Sequence, residues 1–219
     1  WSPAFTVLDR ATTFWYHPHL HHKTNEHVYR GLAGMIIVRD AAESALALPR
    51  TYGVNDIPII LQDRRFTPQR QFVFNGGGIG ESGPTIVVNG TVEPFLEVEA
   101  GIVRLRLLNG SNSRVYQLGL DDNSAFHQIG SDGGLFSAPV ELTRLRLAPG
   151  ERAEVLLDLT ASNGQNRILM SYSSELVRGE PGGVNQGPGG PPPGVVDIDG
   201  TDFSILQVRV SGSSSITTI

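Results

Sequence analysis

The residues best suited to chemistry in this chain are histidines, and five of the six lie between His17 and His27. A neutral imidazole is the commonest protein ligand for a metal ion, and most imidazoles are neutral near physiological pH. Clustered imidazoles suit zinc, copper, iron or nickel better than magnesium or calcium. The segment therefore predicts a transition-metal site, provided that the rest of the fold holds it in place.

His17 and His19 are the candidate ligands, because residues two apart in a strand project to the same side, roughly 6.6 Å apart. Pro18 has no N–H to donate to a sheet, so it places the pair at an edge or a strand end. Two imidazoles on one face can bind two neighbouring metal ions, or one ion with help from other segments. The alternative is an exposed polar strand end without a metal. The other histidines are predicted to be surface, packing or hydrogen-bonded residues: His21, His22, His27 and His127.

Composition argues against several other classes of site and partner. The 219 residues carry a net charge of −5 and a pI of about 5.7, so no basic patch predicts nucleic-acid binding. The absence of cysteine excludes disulfides and thiolate metal sites on this chain. No apolar run approaches the roughly 18–20 residues that a membrane-spanning helix needs. We therefore expect neither a nucleic-acid partner nor a membrane span.

Short strand signals recur along the whole chain and predict the elements that position the histidines. Residues 13–17 are rich in aromatic side chains, and 34–39 form a continuous apolar run typical of a buried strand. In 102–107, aliphatic residues alternate with Arg104 and Arg106, which places the two arginines on one face. Asn-Gly, Asp-Gly-Gly and Pro-Gly turns separate such runs at short intervals. This pattern favours an all-β antiparallel sandwich or barrel.

Helical signals are scarce in the sequence. A short helix is predicted from Thr24, as its N-cap, to Gly31, and residues 41–48 predict a further turn or two. Residues 75–84 are rich in glycine, and 178–200 combine many glycines with prolines. Both segments are therefore interpreted as loops.

The strand signals divide the chain unequally. About nine strands follow residue 49, enough for a complete sandwich, whereas only about three β segments precede it, too few to bury both faces of a sheet. We expect 1–48 to be the C-terminal part of a preceding β domain, 49–215 to be a complete domain, and 216–219 to be a linker toward a further domain. Exposed strand edges in 1–45 would favour self-association.

The histidine segment and several later stretches form an ordered series of motifs. The series begins with Trp-Tyr-His-Pro-His-Leu-His-His-Lys-Thr at 15–24 and Val-Tyr-Arg-Gly-Leu-Ala-Gly at 28–34. It continues through five motifs, at 56–63, 88–90, 105–114, 131–134 and 149–155. In sequence and order these motifs resemble those of the first and second domains of multicopper oxidases, in particular bacterial laccases and copper-efflux oxidases, and the resemblance covers nearly the whole chain.

This resemblance implies a cupredoxin-like Greek-key β-sandwich and copper as the cofactor. His17 and His19 would each ligate one of the two type 3 coppers of a trinuclear cluster. His21 and His22 are not ligands in the family, which usually has glycine at the position of His22. The sandwich of 49–215 would be the ligand-free middle domain, which holds the outer domains in register. The type 1 and type 2 copper sites need residues that this sequence does not contain.

The implied function is that of a laccase-like oxidase, which takes single electrons from phenols, aromatic amines or Cu(I) and reduces O₂ to water. Dioxygen and a small reducing substrate would be its partners, in an extracytoplasmic location that is periplasmic, cell-envelope or secreted. This chain alone would be an inactive fragment of that enzyme.

Two alternatives stay open. One is a copper-free relative of the superfamily, such as the FtsP-like cell-division proteins, which keep the sandwiches and lose the copper ligands. Retention of His17 and His19 argues against it. The other is a two-domain nitrite reductase or small laccase, which is weaker because residues 55–210 contain a single histidine, His127.

Overall fold

The computed structural model describes residues 2–76, 81–184, 198–214 and 216, and most of its regular structure is β-strand. The two α-helices are α1 (Thr24–Tyr29) and α2 (Ala41–Ser44). In chain order, the strands are β1 (Thr12–Tyr16), β2 (Gly34–Val38), β3 (Asp56–Arg64), β4 (Thr85–Val88), β5 (Thr91–Val92), β6 (Phe95–Ala100), β7 (Ile102–Asn109), β8 (Tyr116–Leu120), β9 (Phe126–Ser131), β10 (Gly134–Leu142), β11 (Leu145–Leu147), β12 (Arg152–Asp158), β13 (Asn166–Ser171) and β14 (Phe203–Ser213). The all-β prediction is confirmed.

A seven-stranded sheet and a five-stranded sheet pack face to face as a sandwich. The strand order is β10-β9-β12-β7-β3-β4-β5 in the first sheet and β11-β8-β13-β14-β6 in the second. Most neighbours are antiparallel, but β3 pairs with β7 and β14 pairs with β6 in parallel. Parallel neighbours cannot be joined by a tight hairpin, so the chain crosses between the sheets as a Greek key rather than as a meander.

The core lies between the two sheets and consists mainly of aliphatic side chains. Leu105 of β7, Leu118 of β8 and Val208 of β14 are fully buried within it. Successive side chains of a strand point to opposite faces, so Leu105 and Leu107 share one face of β7, as predicted, and the structure places that face in the core.

β1 and β2 form a separate two-stranded antiparallel sheet, the hairpin, in which Trp15 lies opposite Met35 and Tyr16 lies opposite Gly34. The Tyr16 ring covers Gly34 so closely that an added Cβ would lie 2.5 Å from Tyr16 Cζ. A residue with a Cβ at this position would therefore require the exposed Tyr16 ring to move aside. β1 also contacts β9, β10 and β12, so the hairpin lies on the outer face of the seven-stranded sheet.

Both helices begin close to their predicted positions, but α2 ends at Ser44, before the predicted end at residue 48. Lys23, rather than Thr24, is the N-cap of α1, and Gly31 follows the C-cap with φ +96°, a left-handed conformation common at helix ends. The predicted turn after residue 41 is α2, whose N-cap Asp40 accepts a hydrogen bond from the N–H of Glu43. Neither helix, nor any other among the described residues, is long and apolar enough to cross a membrane.

The two predicted loops contain no strand or helix in their described parts, 75–76, 81–84, 178–184 and 198–200. Their remaining residues, 77–80 and 185–197, lie outside the described residues. Of the predicted linker 216–219, only Ile216 is described, and its carbonyl oxygen accepts a hydrogen bond from Ile102 N at 2.8 Å. The domain boundary after residue 48 stays a prediction.

Candidate metal centre

β1 carries the histidine pair at its C-terminal end. The strand ends at Tyr16, one residue earlier than expected, and His17, Pro18 and His19 follow in an irregular segment. The imidazole rings of His17 and His19 still lie side by side, with centroids 4.2 Å apart and planes inclined by 40°. His17 is half-buried and His19 is exposed. The structure thus brings the two predicted ligands together.

Two neighbours orient the His17 ring. The Trp15 indole stacks on it, with centroids 4.2 Å apart and 25° between the planes. Its Nδ1 lies 3.1 Å from the Pro18 carbonyl oxygen. Because a carbonyl only accepts hydrogen bonds, Nδ1 is the donor in this contact, and in the neutral imidazole Nε2 then carries the lone pair. Metal-ligating histidines commonly use one ring N–H in this way, which fixes the tautomer and leaves the other nitrogen for a metal.

The other four histidines do not join this pair. His21 and His22 are exposed and contact each other, with ring centroids 3.8 Å apart. His27 lies on α1, and His127 lies on β9 with its Nε2 3.7 Å from a carboxylate oxygen of Glu141. Within the described residues, no group of three or more histidines and carboxylates is arranged to hold a metal ion. A metal at His17 and His19 would therefore need ligands from elsewhere.

His22 has a left-handed backbone conformation, with φ +59°. This conformation is uncommon for residues other than glycine because Cβ approaches the backbone. Glycine adopts it freely. The structure thus gives a physical reason for the glycine that the resembled motif has at this position.

The helix that follows the histidines is anchored to the sandwich. The Val28 carbonyl oxygen accepts hydrogen bonds from Gln62 Nε2 at 3.3 Å and from Arg64 Nη2 at 3.1 Å. Tyr29 is fully buried, its hydroxyl oxygen accepts from Arg65 N at 2.8 Å, and the Arg64 guanidinium lies 4.9 Å from its ring centroid. Burial raises the pKa of Tyr29, so its hydroxyl stays protonated. The segment from His17 to α1 is therefore fixed at both ends.

A set of buried charges joins the hairpin side of the chain to the sandwich, and we call it the buried charge cluster. β7 presents two arginines on its outer face, flanked by one carboxylate from β3 and one from β12. Its members from the sandwich are Asp56, Arg104, Arg106 and Glu154, and its members from the first 48 residues are Thr13, Arg39 and Glu43. At most 2% of each is exposed, apart from Arg39, whose side chain is 33% exposed.

Arg106 lies at the centre of this cluster. It forms a two-pronged pair with Asp56, from Nε to Oδ1 at 2.7 Å and from Nη2 to Oδ2 at 3.0 Å. Its Nη1 donates to Glu154 Oε1 and to Thr13 Oγ1, both at 2.8 Å. The Thr13 hydroxyl in turn donates to Glu154 Oε1 at 2.7 Å. The hydroxyl of β1 is thus paired as both acceptor and donor.

Arg104 links the sandwich to α2. Its Nε donates to Glu154 Oε2 at 3.0 Å, and its Nη1 donates to Glu43 Oε1 at 2.6 Å. Burial acts to lower the pKa of Arg104, but the attraction of Glu154 and the hydrogen bond to Glu43 outweigh it and raise the pKa above its ordinary value. The guanidinium therefore stays charged although it is excluded from water.

The alternation in 102–107 placed Arg104 and Arg106 on the face opposite the aliphatic residues but gave them no role. Every residue of β7 is buried, so neither face of the strand meets solvent. Arginine and aspartate are almost never fully buried unless paired. The available signal was a carboxylate directly before an apolar run in each neighbouring strand, Asp56 before 57–61 and Glu154 before 155–157, which marks both as partners for buried arginines.

Comparison with protein families gives two matches. A family model described as "Multicopper oxidase" matches residues 1–43, and a second model with the same description matches residues 54–185. The first match contains the histidine pair and the hairpin, and the second contains most of the sandwich.

Among curated proteins, the chain is similar to cell division protein FtsP. It is 49% identical to the protein of Xenorhabdus nematophila over 164 residues, which is 73% of this chain and 34% of that protein. It is 45% identical to the protein of Escherichia coli K12 over 168 residues, which is 75% of this chain and 35% of that protein. The chain therefore spans about a third of the length of these relatives.

Among solved structures, the chain is similar to oxidases. It matches McoA multicopper oxidase from Aquifex aeolicus with a TM-score of 0.84 and 38% identity, over 99% of this chain and 45% of that one. It matches CueO of Ochrobactrum sp., described as a bacterial laccase-like multi-copper oxidase, with a TM-score of 0.80 and 33% identity, over 100% of this chain and 45% of that one.

Proposed function

Because the chain belongs to the multicopper oxidase family and has its cupredoxin-like sandwich, we propose that it is a section of a copper-dependent oxidase in which His17 and His19 are copper ligands. The observation that carries this proposal is the pairing of the two rings at the end of β1, with the Nε2 lone pair of His17 left free by the bond at Nδ1. Following the family motif, each ring would ligate one type 3 copper.

The donors of this segment suit copper in kind. Imidazole is a preferred copper ligand, but two imidazoles are fewer than the three or more protein ligands that catalytic metal sites usually have. The remaining ligands would belong to another part of the protein. When bound, copper supplies the one-electron steps between reducing substrate and dioxygen. The part of this chain is to hold His17 in one tautomer and to keep the two rings adjacent.

For the whole protein, we propose phenols, aromatic amines or Cu(I) as reducing substrates, dioxygen as oxidant and a location outside the cytoplasm. Similarity to a structure described as a laccase-like oxidase active toward lignin model compounds supports the substrate class. Similarity to cell-division proteins supports a place in the cell envelope. Residues 49–215 would act as the ligand-free scaffold, since their one histidine, His127, lies apart from the pair.

The second candidate function is a copper-free role in cell division. The curated relatives favour it, because the FtsP proteins of Xenorhabdus nematophila and Escherichia coli K12 are 49% and 45% identical to this chain, whereas McoA is 38% identical. These relatives support the second candidate more directly than the first, whereas the paired histidines support the first. Copper binding by the whole protein separates the two.

The test loads the whole protein with Cu(II), removes excess copper and measures bound copper and oxygen consumption with a phenolic substrate. The variant is the double substitution His17→Ala/His19→Ala, and the matched control is His21→Ala/His22→Ala, which alters a neighbouring histidine pair with no predicted ligand role. We expect the first variant to bind less copper and to lose activity, and the control to keep the copper content and activity of the unsubstituted protein. If the unsubstituted protein binds no copper, the oxidase proposal fails and the cell-division role is favoured.

We also propose that this chain, taken alone, self-associates through the hairpin. Within the described residues, β1 and β2 pair only with each other, so each has a free edge. Ile36 is 44% exposed and Tyr16 is 60% exposed on the hairpin. Free edges with apolar side chains favour pairing with another chain. Light scattering across a concentration series should show a rise in mass, and a constant monomer mass would contradict the proposal.

A further inference from the structure

The geometry of the buried charge cluster is more specific than the stability of the fold alone requires. Buried ion pairs often contribute little net stability compared with apolar residues of the same shape. Their geometric demand is stricter, because a guanidinium fork and a carboxylate pair at one relative position. Here the fork atoms of Arg106 reach both a carboxylate of the sandwich and a hydroxyl of β1.

We propose that the buried charge cluster is the device by which the sandwich sets the position of the histidine pair, with Thr13 as the positioning residue. This inference rests on the proposed copper function of His17 and His19. It assigns to the ligand-free sandwich a specific part in building a metal site to which it gives no ligand.

The first step is the fixation of β1 at Thr13. Its hydroxyl accepts from Arg106 Nη1 and donates to Glu154 Oε1, and its carbonyl oxygen accepts from Arg152 Nε at 3.1 Å. Arg152 is held in turn, since its backbone N–H donates to Asp132 Oδ1 at 2.7 Å. Backbone and side chain of one residue are thus tied to β12 and to β7.

The second step is the fixation of the other strand of the hairpin. Arg39 follows β2 directly, and its Nη2 donates to Asp56 Oδ2 at 2.6 Å. Glu43 of α2 accepts from Arg104 Nη1. Because Thr12 is paired with Val38 in the hairpin, these bonds hold the same end of both strands.

The third step carries this position from Thr13 to the histidines. His17 lies four residues after Thr13, at most about 14 Å along an extended chain. Strand β1 covers most of that span. Between the two residues, Trp15 stacks its indole on the His17 ring. The indole also lies close to Gly150, since a Cβ added to that glycine would be 3.5 Å from Trp15 Cζ2. A shift at Thr13 would therefore move the His17 ring.

The test compares three substitutions at neighbouring positions of one strand. Thr13→Val keeps the shape and removes the hydroxyl from the cluster, whereas Thr13→Ser keeps the hydroxyl. Thr12→Val is the matched control, since Thr12 is equally buried but bonds only weakly, at 3.4 Å, to the carbonyl of Asp132. Circular dichroism and thermal melting show whether each variant is folded.

Two readouts are needed. The first is the set of histidine Cε1–Hε1 NMR signals of the metal-free protein, which report the surroundings of His17 and His19 without copper. The second is the Cu(II) affinity and the Cu(II) EPR spectrum. Substitutions of groups that orient metal ligands typically lower metal affinity by about 10- to 100-fold. We expect Thr13→Val to shift the two histidine signals and to weaken Cu(II) binding by about 10-fold or more, and Thr13→Ser and Thr12→Val to match the unsubstituted protein.

Unchanged histidine signals and unchanged Cu(II) affinity in folded Thr13→Val would overturn the inference. An unsubstituted protein that binds no Cu(II) would refute the copper function, and the metal-free histidine signals would then decide the positioning role alone. If Thr13→Val does not fold, Arg152→Gln removes the bond to the Thr13 carbonyl, together with the side-chain bonds of Arg152 to Asp132 and to the Gly150 carbonyl, and leaves the Thr13 hydroxyl in the cluster. The same shifts, smaller in size, are expected there, and their absence would refute the proposal.

Discussion

The inner and outer faces of β7 are both buried, yet by different interactions. The face toward the five-stranded sheet carries Val103, Leu105 and Leu107, which pack in the aliphatic core. The opposite face carries Arg104 and Arg106, each 1% exposed, which pair with carboxylates under the hairpin. One strand therefore contributes to two interfaces of opposite chemistry.

The aliphatic core mainly stabilises the sandwich, whereas the buried charge cluster fixes the relative position of the parts that it joins. Apolar burial is non-directional and scales with the area removed from water, so the core holds the two sheets together without demanding one exact arrangement. The charge cluster is directional, and a displaced partner leaves a buried charge without compensation. The core should therefore tolerate changes of shape better than the cluster tolerates changes of charge geometry.

The largest effect is expected for Asp56→Ala. Asp56 is fully buried and accepts from Arg106 twice and from Arg39 once. Its removal leaves Arg106 buried with too little negative charge, which should cost about 3–5 kcal/mol of the free energy of unfolding. Urea denaturation measures this loss.

The control for that prediction is Arg146→Ala, which breaks the exposed pair between Arg146 and Glu180. Exposed pairs contribute about 0–1 kcal/mol. Equal losses for Asp56→Ala and Arg146→Ala would contradict a special role for buried charge on the outer face of β7.

A smaller effect should distinguish two conservative substitutions at adjacent residues of β7. Leu105→Met keeps the volume of an aliphatic core residue and should cost less than about 1.5 kcal/mol. Arg104→Lys keeps the charge but loses the fork that reaches Glu154 and Glu43, and should cost about 2–3 kcal/mol. Chemical denaturation of both variants in one buffer provides the test. A larger loss for Leu105→Met would reverse the comparison.

The pH dependence of the hairpin side provides a further test. Asp40 accepts hydrogen bonds from the N–H groups of Glu43 and Ala11, and these bonds lower the pKa of Asp40 below its ordinary value of 3.8. Its stabilising contribution is therefore complete above that ordinary value and is lost as the pH falls through the lower folded-state pKa. Asp40→Asn removes this titration, so its melting temperature should fall less than that of the unsubstituted protein between about pH 6 and about pH 2. Identical falls would contradict the prediction.

The smallest effect is expected at His22, which lies outside both buried faces. Its left-handed backbone, with φ +59°, costs about 1 kcal/mol for a residue with a Cβ. Glycine relieves this strain but loses more conformational entropy on folding, about 0.5–1 kcal/mol. His22→Gly should therefore change the free energy of unfolding by no more than about 0.5 kcal/mol, whereas the β-branched His22→Val should be clearly destabilising. Thermal melting of both variants gives the comparison.

Local patterns predicted much of this molecule correctly. Alternation in 102–107 separated the aliphatic face of β7 from its arginine face, and Gly31 marked the end of α1. The adjacency of His17 and His19 also followed from their spacing, although β1 ends at Tyr16. Each of these features depends on residues close together in the chain, which is why the sequence alone could indicate them.

The sequence by itself determined the β-sandwich class, the family and the candidate ligands His17 and His19. Only the tertiary structure decided what covers the outer face of β7, because that depends on sheet register. Thr13 is 93 residues from Arg106 and 141 residues from Glu154, yet the three side chains share hydrogen bonds. No local pattern connects such distant residues. They meet because the order β12-β7-β3 and the docking of the hairpin bring them to one place.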